Sequence, residues 1–290
     1  MKNTIYKSRD FLRPHQVVQK RRRQKIVKSI LYTILVATIL ASFVFIMRAD
    51  FLKIKSIDIG GNVSINADEM SASVSNIISG NYLYVFPKNN ILIFPKKEIG
   101  QQLAKDFPRI DGLKISTAGD NVKVNITERK PQALWCGFSF AEAMDPCSFV
   151  DSSGFVFSKA PQFDGTSYLK FYGGSLATST DEGLNIAWQL VPPEEYSKII
   201  TFISDSKELG LELIAVEITD ENSYKFQTKN NGVLIVNRQE DLKLTTNNLK
   251  ASLSNQILWK KGVGGVKELA QFEYLDLRYG NKVFYKFSGN

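Results

Sequence analysis

Few side chains in this sequence could do chemistry, and their spacing suits little of it. His15 is the single histidine and falls in a basic N-terminal stretch. A Ser-His-Asp or Cys-His arrangement needs an imidazole beside its nucleophile, so neither is available in the rest of the chain. Cys136 and Cys147 are the two cysteines, and with no histidine near them they make a poor metal set. The 29 carboxylates are scattered. Two of them could meet in the fold, as glycoside hydrolysis requires, but no pair stands out. The glycines of GVGGVKE, Gly262 to Gly265, lack the strand-then-helix setting of a phosphate loop and read as an ordinary loop. The sequence therefore predicts no catalytic residue, no metal ligand and no cofactor site.

The backbone chemistry of the last residues is more suggestive. FEYLDLRYGNKVFYKFSGN, Phe272 to Asn290, reads as two strands around Gly280-Asn281. Alternation puts Val283, Tyr285 and Phe287 on one face and Phe284 and Lys286 on the other, so both faces carry a large ring. A strand edge with unpaired N–H and C=O groups is an aggregation hazard that chains usually cover. Pattern alone leaves two covers open, a helix of this molecule or a strand from a partner.

What must position that edge begins with charge. The chain of 290 residues carries a net +8, which at first resembles a nucleic-acid signal. Ten basic residues against one acid fall in residues 1–28, a net of +9, so the other 262 residues carry −1. A groove for nucleic acid should lie on a folded domain, whereas this charge is a tail joined to an apolar run, which argues against a nucleic-acid partner. From Ser29 to Met47 no residue is charged. Nineteen helical residues span roughly 28 Å, the hydrocarbon thickness of a bilayer. A cleaved signal peptide would have a shorter apolar core ending in small residues, and Phe43-Val44-Phe45-Ile46-Met47 is bulky. The expectation is a basic cytoplasmic tail over 1–28, an uncleaved transmembrane helix over 29–47, and export of everything beyond.

In an exported portion Cys136 and Cys147, eleven residues apart, favour a disulfide over two buried thiols. The elements there mix periods. Ile54, Ile57 and Ile59 read as a strand. Asn66 caps a helix with Met70, Val74, Ile77 and Ile78 on one face, and Pro95 opens a second with Ile99, Leu103 and Phe107. Two alternating strands follow around 118–120. Strand, helix, helix, strand, strand within about 80 residues predicts a small α+β layer. Beyond it the pattern predicts strands at 148–157, 167–172, 211–218, 224–228 and 233–236, and helices at 193–209 and 241–258. Trp135 is expected to pack under the loop that the cysteines would close.

At this point a resemblance becomes usable. FLKIKSIDIGGN, then Phe107-Pro108-Arg109-Ile110, then Glu128-Arg129-Lys130-Pro131-Gln132-Ala133, resemble the POTRA domain of the bacterial cell-division family FtsQ/DivIB. Val150-Asp151 with Gly154-Phe155-Val156-Phe157, and Asp276-Leu277-Arg278-Tyr279 before a last strand, are similar to that family's later phrases. The segment from Gly173 to Trp188 matches no part of the pattern.

The resemblance implies an α+β chain: a single N-terminal transmembrane helix, a POTRA-like βααββ domain over 51–130, and over 131–290 a mixed α/β domain with a largely antiparallel sheet. It further implies a non-enzymatic scaffold of the cell-division machinery, single-pass in the cytoplasmic (inner) membrane and at the septum. Its partners would be FtsB/FtsL-type division proteins, other divisome membrane proteins, and lipid through the helix and tail. The last strand would accept a partner strand by β-augmentation. The docking residues implied are Arg278, Tyr279, Asn281, Lys282, Val283, Phe284, Tyr285 and Phe287, with the two tyrosines as anchors and Arg278 facing an acidic partner residue. Deleting 282–290 would then abolish capture. Two rivals are an envelope transport or assembly factor, since POTRA modules also stand beside outer-membrane barrels, and a cell-wall enzyme with two acids facing each other in a pocket. The first would need runs of about ten alternating residues that are absent here. The second would need a convergence that only the fold could supply.

Overall fold

The computed structural model describes residues 15–162, 167–174, 179–180, 183–184, 187–219, 221–254, 259–261, 267–269, 271–280 and 282–288. Its class is mixed α+β, with one long N-terminal helix and a sheet-rich body. The chain divides into two compact units. One comprises Met1–Gly60, Asn66–Leu103 and Lys114–Asn125; the other comprises Gly61–Ile65, Ala104–Leu113 and Ile126–Asn290.

In the first unit, helix α1 (His15–Met47) joins residues 15–28 of the basic stretch and the apolar run in one continuous helix. Its 27 residues Arg21–Met47 are long and apolar enough to cross a membrane. Thr33 and Thr38 donate their hydroxyls to the carbonyls four residues back, which satisfies both within the helix. Strand β1 (Ser56–Gly60) follows. Helix α2 (Ala67–Ile78) begins where Asn66 accepts from the Asp68 N–H at 2.8 Å, and it buries Met70, Val74 and Ile78. Between it and helix α3 (Lys96–Asp106), which buries Ile99 and Leu103, a short hairpin pairs Asn81–Tyr82 with Phe86–Pro87. The sequence reading did not anticipate that hairpin, because two-residue ladders leave no period to detect. Strands β2 (Ile110–Ala118) and β3 (Asn121–Glu128) complete a three-stranded sheet in the order β1-β3-β2. β1 runs parallel to β3, with Ser56 opposite Asn121 and Gly60 opposite Asn125.

The second unit is built on strands β4 (Ala133–Gly137), β5 (Ala143–Val150), β6 (Phe155–Lys159), β7 (Leu169–Gly173), β8 (Trp188–Gln189), β9 (Leu213–Ile218), β10 (Ser223–Thr228), β11 (Val233–Asn237), β12 (Phe272–Tyr279) and β13 (Lys282–Phe287). They form one sheet of ten strands in the order β8-β6-β5-β4-β7-β9-β10-β11-β12-β13. Six of the nine pairings are antiparallel and three parallel, so the sheet is largely antiparallel. Helices α4 (Pro193–Glu208) and α5 (Leu242–Ser254) fill the crossovers between parallel neighbours β7/β9 and β11/β12. Their buried residues, among them Ile199, Phe202, Leu249 and Leu253, close over Val216, Phe226, Leu234 and Leu275 in the main core. On the opposite sheet face a smaller cluster gathers Leu134, Cys136, Phe149, Phe157 and Tyr172.

Two expectations need correction. The strand read at 148–157 is two strands, because Asp151 turns the chain between them: its carboxylate accepts from the Ser153 and Phe155 N–H groups at 2.8 and 3.0 Å. Gly154 completes the turn at φ +83, where a Cβ would lie 2.8 Å from the Tyr196 ring. Trp135 touches the cysteine loop only at Phe138, whose ring it meets edge-on at 5.5 Å, and it does not lie on the face of Cys136. Alternation sends it to the helix-covered side, where its indole donates to the Gly173 carbonyl at 3.0 Å and meets Trp188 edge-on. The helix read at 241–258 spans Leu242–Ser254, and 255–258 lie outside the described residues, as do the glycines of GVGGVKE and most of 175–186.

Cys136 and Cys147 are bonded, Sγ to Sγ at 2.10 Å. Replacing both with serine is expected to lower the second unit's stability by about 3 kcal/mol, the loop-entropy figure for so short a ring. Urea unfolding with and without reductant checks it, since reductant should shift the parent protein and leave the variant unmoved.

Candidate functional site

The C-terminal hairpin forms because alternating rings flank a turn at Gly280, which sits at φ +63; the Asn281 beside it lies outside the described residues. Phe272 pairs with Phe287, Leu275 with Tyr285, Asp276 with Phe284 and Tyr279 with Lys282. β13 is the last strand of the ten, and among the described residues nothing pairs with its outer edge. The direction of its polar groups follows from one bond. Ser288 N–H donates inward to the Gln271 carbonyl at 3.0 Å, so Phe272 and Phe287 form a non-hydrogen-bonded pair. Alternation then turns the N–H and C=O groups of Val283, Tyr285 and Phe287 outward, toward open solvent.

The side chains divide the two covers left open by the pattern. Val283 and Phe287 are partly buried against the main core, so this molecule covers them. Tyr279, Phe284 and Tyr285 stay 55%, 51% and 41% exposed. Phe284 meets Tyr279 edge-on at 5.2 Å on the face away from the helices, and Tyr285 lies 5.1 Å from Phe287. Lys282 is exposed. Arg278 departs from the expectation that it is free for a partner's acid: its guanidinium donates to both oxygens of its own Asp276, at 3.0 and 2.7 Å. With side-chain exposure of 9%, Asp276 could not lose that partner without an unpaired charge remaining under the sheet edge. The sequence reading also missed Asn248 of α5, whose amide donates to the Gly280 carbonyl at 2.8 Å and ties the turn to the helix layer. No motif signals such a long-range bond.

A cavity of 710 Å³ opens between α4 and the start of α5, lined by Glu195, Asp205, Tyr224, Arg238, Asp241 and their neighbours. Glu195 is not a free acid there. Glu195 accepts from Arg238 at 2.8 and 3.2 Å and from the Tyr224 hydroxyl at 2.5 Å. Burial first, and the hydrogen bond to Glu195 second, push the Tyr224 phenol up, so it remains a donor to Glu195.

Two further carboxylates knit the second unit together. Glu128 accepts from the N–H groups of Val63, Ser64 and Ile65 at 2.6, 2.8 and 3.0 Å and lies 3.3 Å from Arg109. Asp151, besides holding its own turn, receives Arg129 at 2.5 Å. These bonds join 61–65 and 104–113 to residues 128, 129 and 151, all within the second unit. Burial pushes both carboxyls up, but the donors around them outweigh it and hold both below the ordinary values of 4.5 and 3.8. The unfolded chain therefore binds these protons more readily than the folded one. The stability they contribute is full above those ordinary values and is lost as pH falls through the lower folded values. Urea midpoints taken from neutral pH downward should hold steady and then drop in that acid window, and Glu128→Gln should flatten part of the drop.

Fold and site together define a mixed α+β chain with one helix able to cross a membrane and a sheet whose last strand is open along its length. No protein-family model matches the chain, and no curated protein matches it.

Proposed function

We propose that this chain is a membrane-anchored, non-enzymatic scaffold of the FtsQ/DivIB type, which recruits FtsB/FtsL-type partners to the division septum. The observation that carries the reading is the outer edge of β13, open and flanked by the exposed rings of Tyr279, Phe284 and Tyr285. A partner strand laid there would find outward N–H and C=O groups at Val283, Tyr285 and Phe287 for registry, and rings on both faces for specificity. The strand-helix-helix-strand-strand order of the first unit supports a POTRA-like module. Its β1 is also an edge strand, a second backbone surface. Helix α1, with ten basic residues in 1–28, supports anchoring with the N-terminus in the cytoplasm. Anchoring confines the chain and its partners to one surface and raises their effective concentration.

The test is fluorescence imaging of a fusion at Met1 in dividing cells of the source organism. A band at midcell is the expected result. An even outline of the cell, with the fusion intact and near native level, overturns the reading.

A further inference from the structure

The end of α1 is locked to a loop region whose composition is wrong for open water. Asn90, fully buried, donates to the Met47 carbonyl at 2.7 Å, one of the carbonyls a helix end leaves unpaired. Arg48 donates to the Val85 carbonyl at 3.0 Å, and Phe43 of α1 meets Phe86 edge-on at 6.1 Å. Ile54 and Ile91 N–H groups tie the next residues to Asn89 and Leu52, both at 2.8 Å. The hairpin at 81–87 and the loop through residue 93 thus have a set position at the foot of the helix.

What this region exposes is apolar. Leu83 is 83% exposed, Tyr84 94%, Phe51 71% and Leu92 65%. Leu83 and Tyr84 occupy the two central positions of a tight turn, closed by Val85 N–H to Tyr82 O at 3.0 Å, with φ of 48° and 62°. Such positions favour Asn and Gly, and bulky residues there are strained. A sequence that breaks local turn chemistry to display two large apolar side chains has its reason outside the local fold. At the helix end Arg48 is matched to no carboxylate among the described residues, while Lys53 pairs with the exposed Asp50 and Lys88 with Glu98. A cavity of 440 Å³ beside the helix end is lined by Arg48, Lys53, Ser79, Asn81 and Asn89, donors suited to a phosphate.

We infer that the 81–93 region is a membrane-interface foot. Leu83, Tyr84 and Leu92 insert at the headgroup level of the bilayer that α1 crosses, and Arg48, with Lys53 across the cavity, contacts a lipid phosphate. The surface is continuous with α1, which decides its occupant: a bilayer around the helix reaches its end, and the foot is bonded there. Tyrosine and basic side chains suit that depth, with an apolar body in the acyl boundary and a polar end in water. The foot fixes the angle at which the first unit leaves the membrane. This rests on the reading of α1 as an anchor.

Because both native cysteines are bonded to each other, single thiols can be added for labelling. Full-length protein in lipid nanodiscs carries an environment-sensitive fluorophore at Leu83→Cys, Tyr84→Cys or Leu92→Cys, one at a time. Leu35→Cys in mid-helix and Glu69→Cys at the far end of α2 serve as references. Loss of emission at 83, 84 and 92 with lipids brominated near the headgroup end, loss at 35 with lipids brominated near the acyl-chain terminus, and none at 69 with either, is the expected result. Quenching at 35 without quenching at 83, 84 and 92 overturns the foot while sparing the anchor, and would assign those side chains to a protein neighbour. Absence of quenching at 35 removes the anchor and the foot together.

Discussion

Proline at position 285 should abolish partner capture by the C-terminal edge while leaving the second unit folded. The Tyr285 N–H points outward, so proline there deletes no bond to β12, and edge strands tolerate proline on their solvent side. An added strand, in contrast, loses a donor and an anchoring ring together. A backbone bond at about 1 kcal/mol and an aromatic anchor at about 2 kcal/mol amount to roughly a hundredfold loss of affinity. Capture of the outer portion of an FtsB-type partner, measured on the purified full chain, checks it. Unchanged capture would remove β13 as the docking strand. The substitution is a cleaner probe than deleting 282–290, because that deletion also strips Val283 and Phe287 from the core and uncovers Phe272 and Leu275. Loss of binding after truncation would mix docking with unfolding.

Asp151→Ala is expected to destabilise the second unit by about 3–5 kcal/mol, the range for removing one partner of a buried ion pair. Asp151 is 7% exposed in its side chain, and it holds Ser153, Phe155 and Arg129 at once. Alanine leaves two turn N–H groups and a guanidinium without it. The guanidinium keeps Asp111 at 3.1 Å and its stacking over Phe155 at 4.4 Å, so Arg129 itself should stay in place while the turn loosens. The fluorescence of buried Trp135 and Trp188 reports unfolding in urea. A shift under 1 kcal/mol would put Asp151 among ordinary surface acids. If the loss arises at the turn, Asp151→Asn should recover part of it, because its amide oxygen can still accept from the two N–H groups.

Local rules were enough for much of this chain. The charge step at residue 28 and the uncharged run to Met47 are sufficient to specify a helix able to cross a membrane, since length and composition alone set that property. Asn66 ahead of a helix-period run, and Gly280 between alternating rings, name a cap and a turn because each acts over a few residues. Strand order does not work that way. That β13 lies at the outside of ten strands depends on β12 joining β11 in parallel across α5, and on β10 and β9 before them, pairings that no short window contains. Arg278 was expected to pair an acid of a partner, but Asp276, two residues back on the same strand, takes its guanidinium. Trp135 and Cys136 read as neighbours, yet the pleat sends them to opposite cores. The turn at Asp151 is legible in Asp151-Ser152-Ser153-Gly154, four turn residues between apolar pairs, and a single strand over 148–157 passes over them. Residue types and periods determined the elements and a helix long and apolar enough to cross a membrane; the non-local register of the large sheet decided which side chains and which backbone groups stay open at its edge.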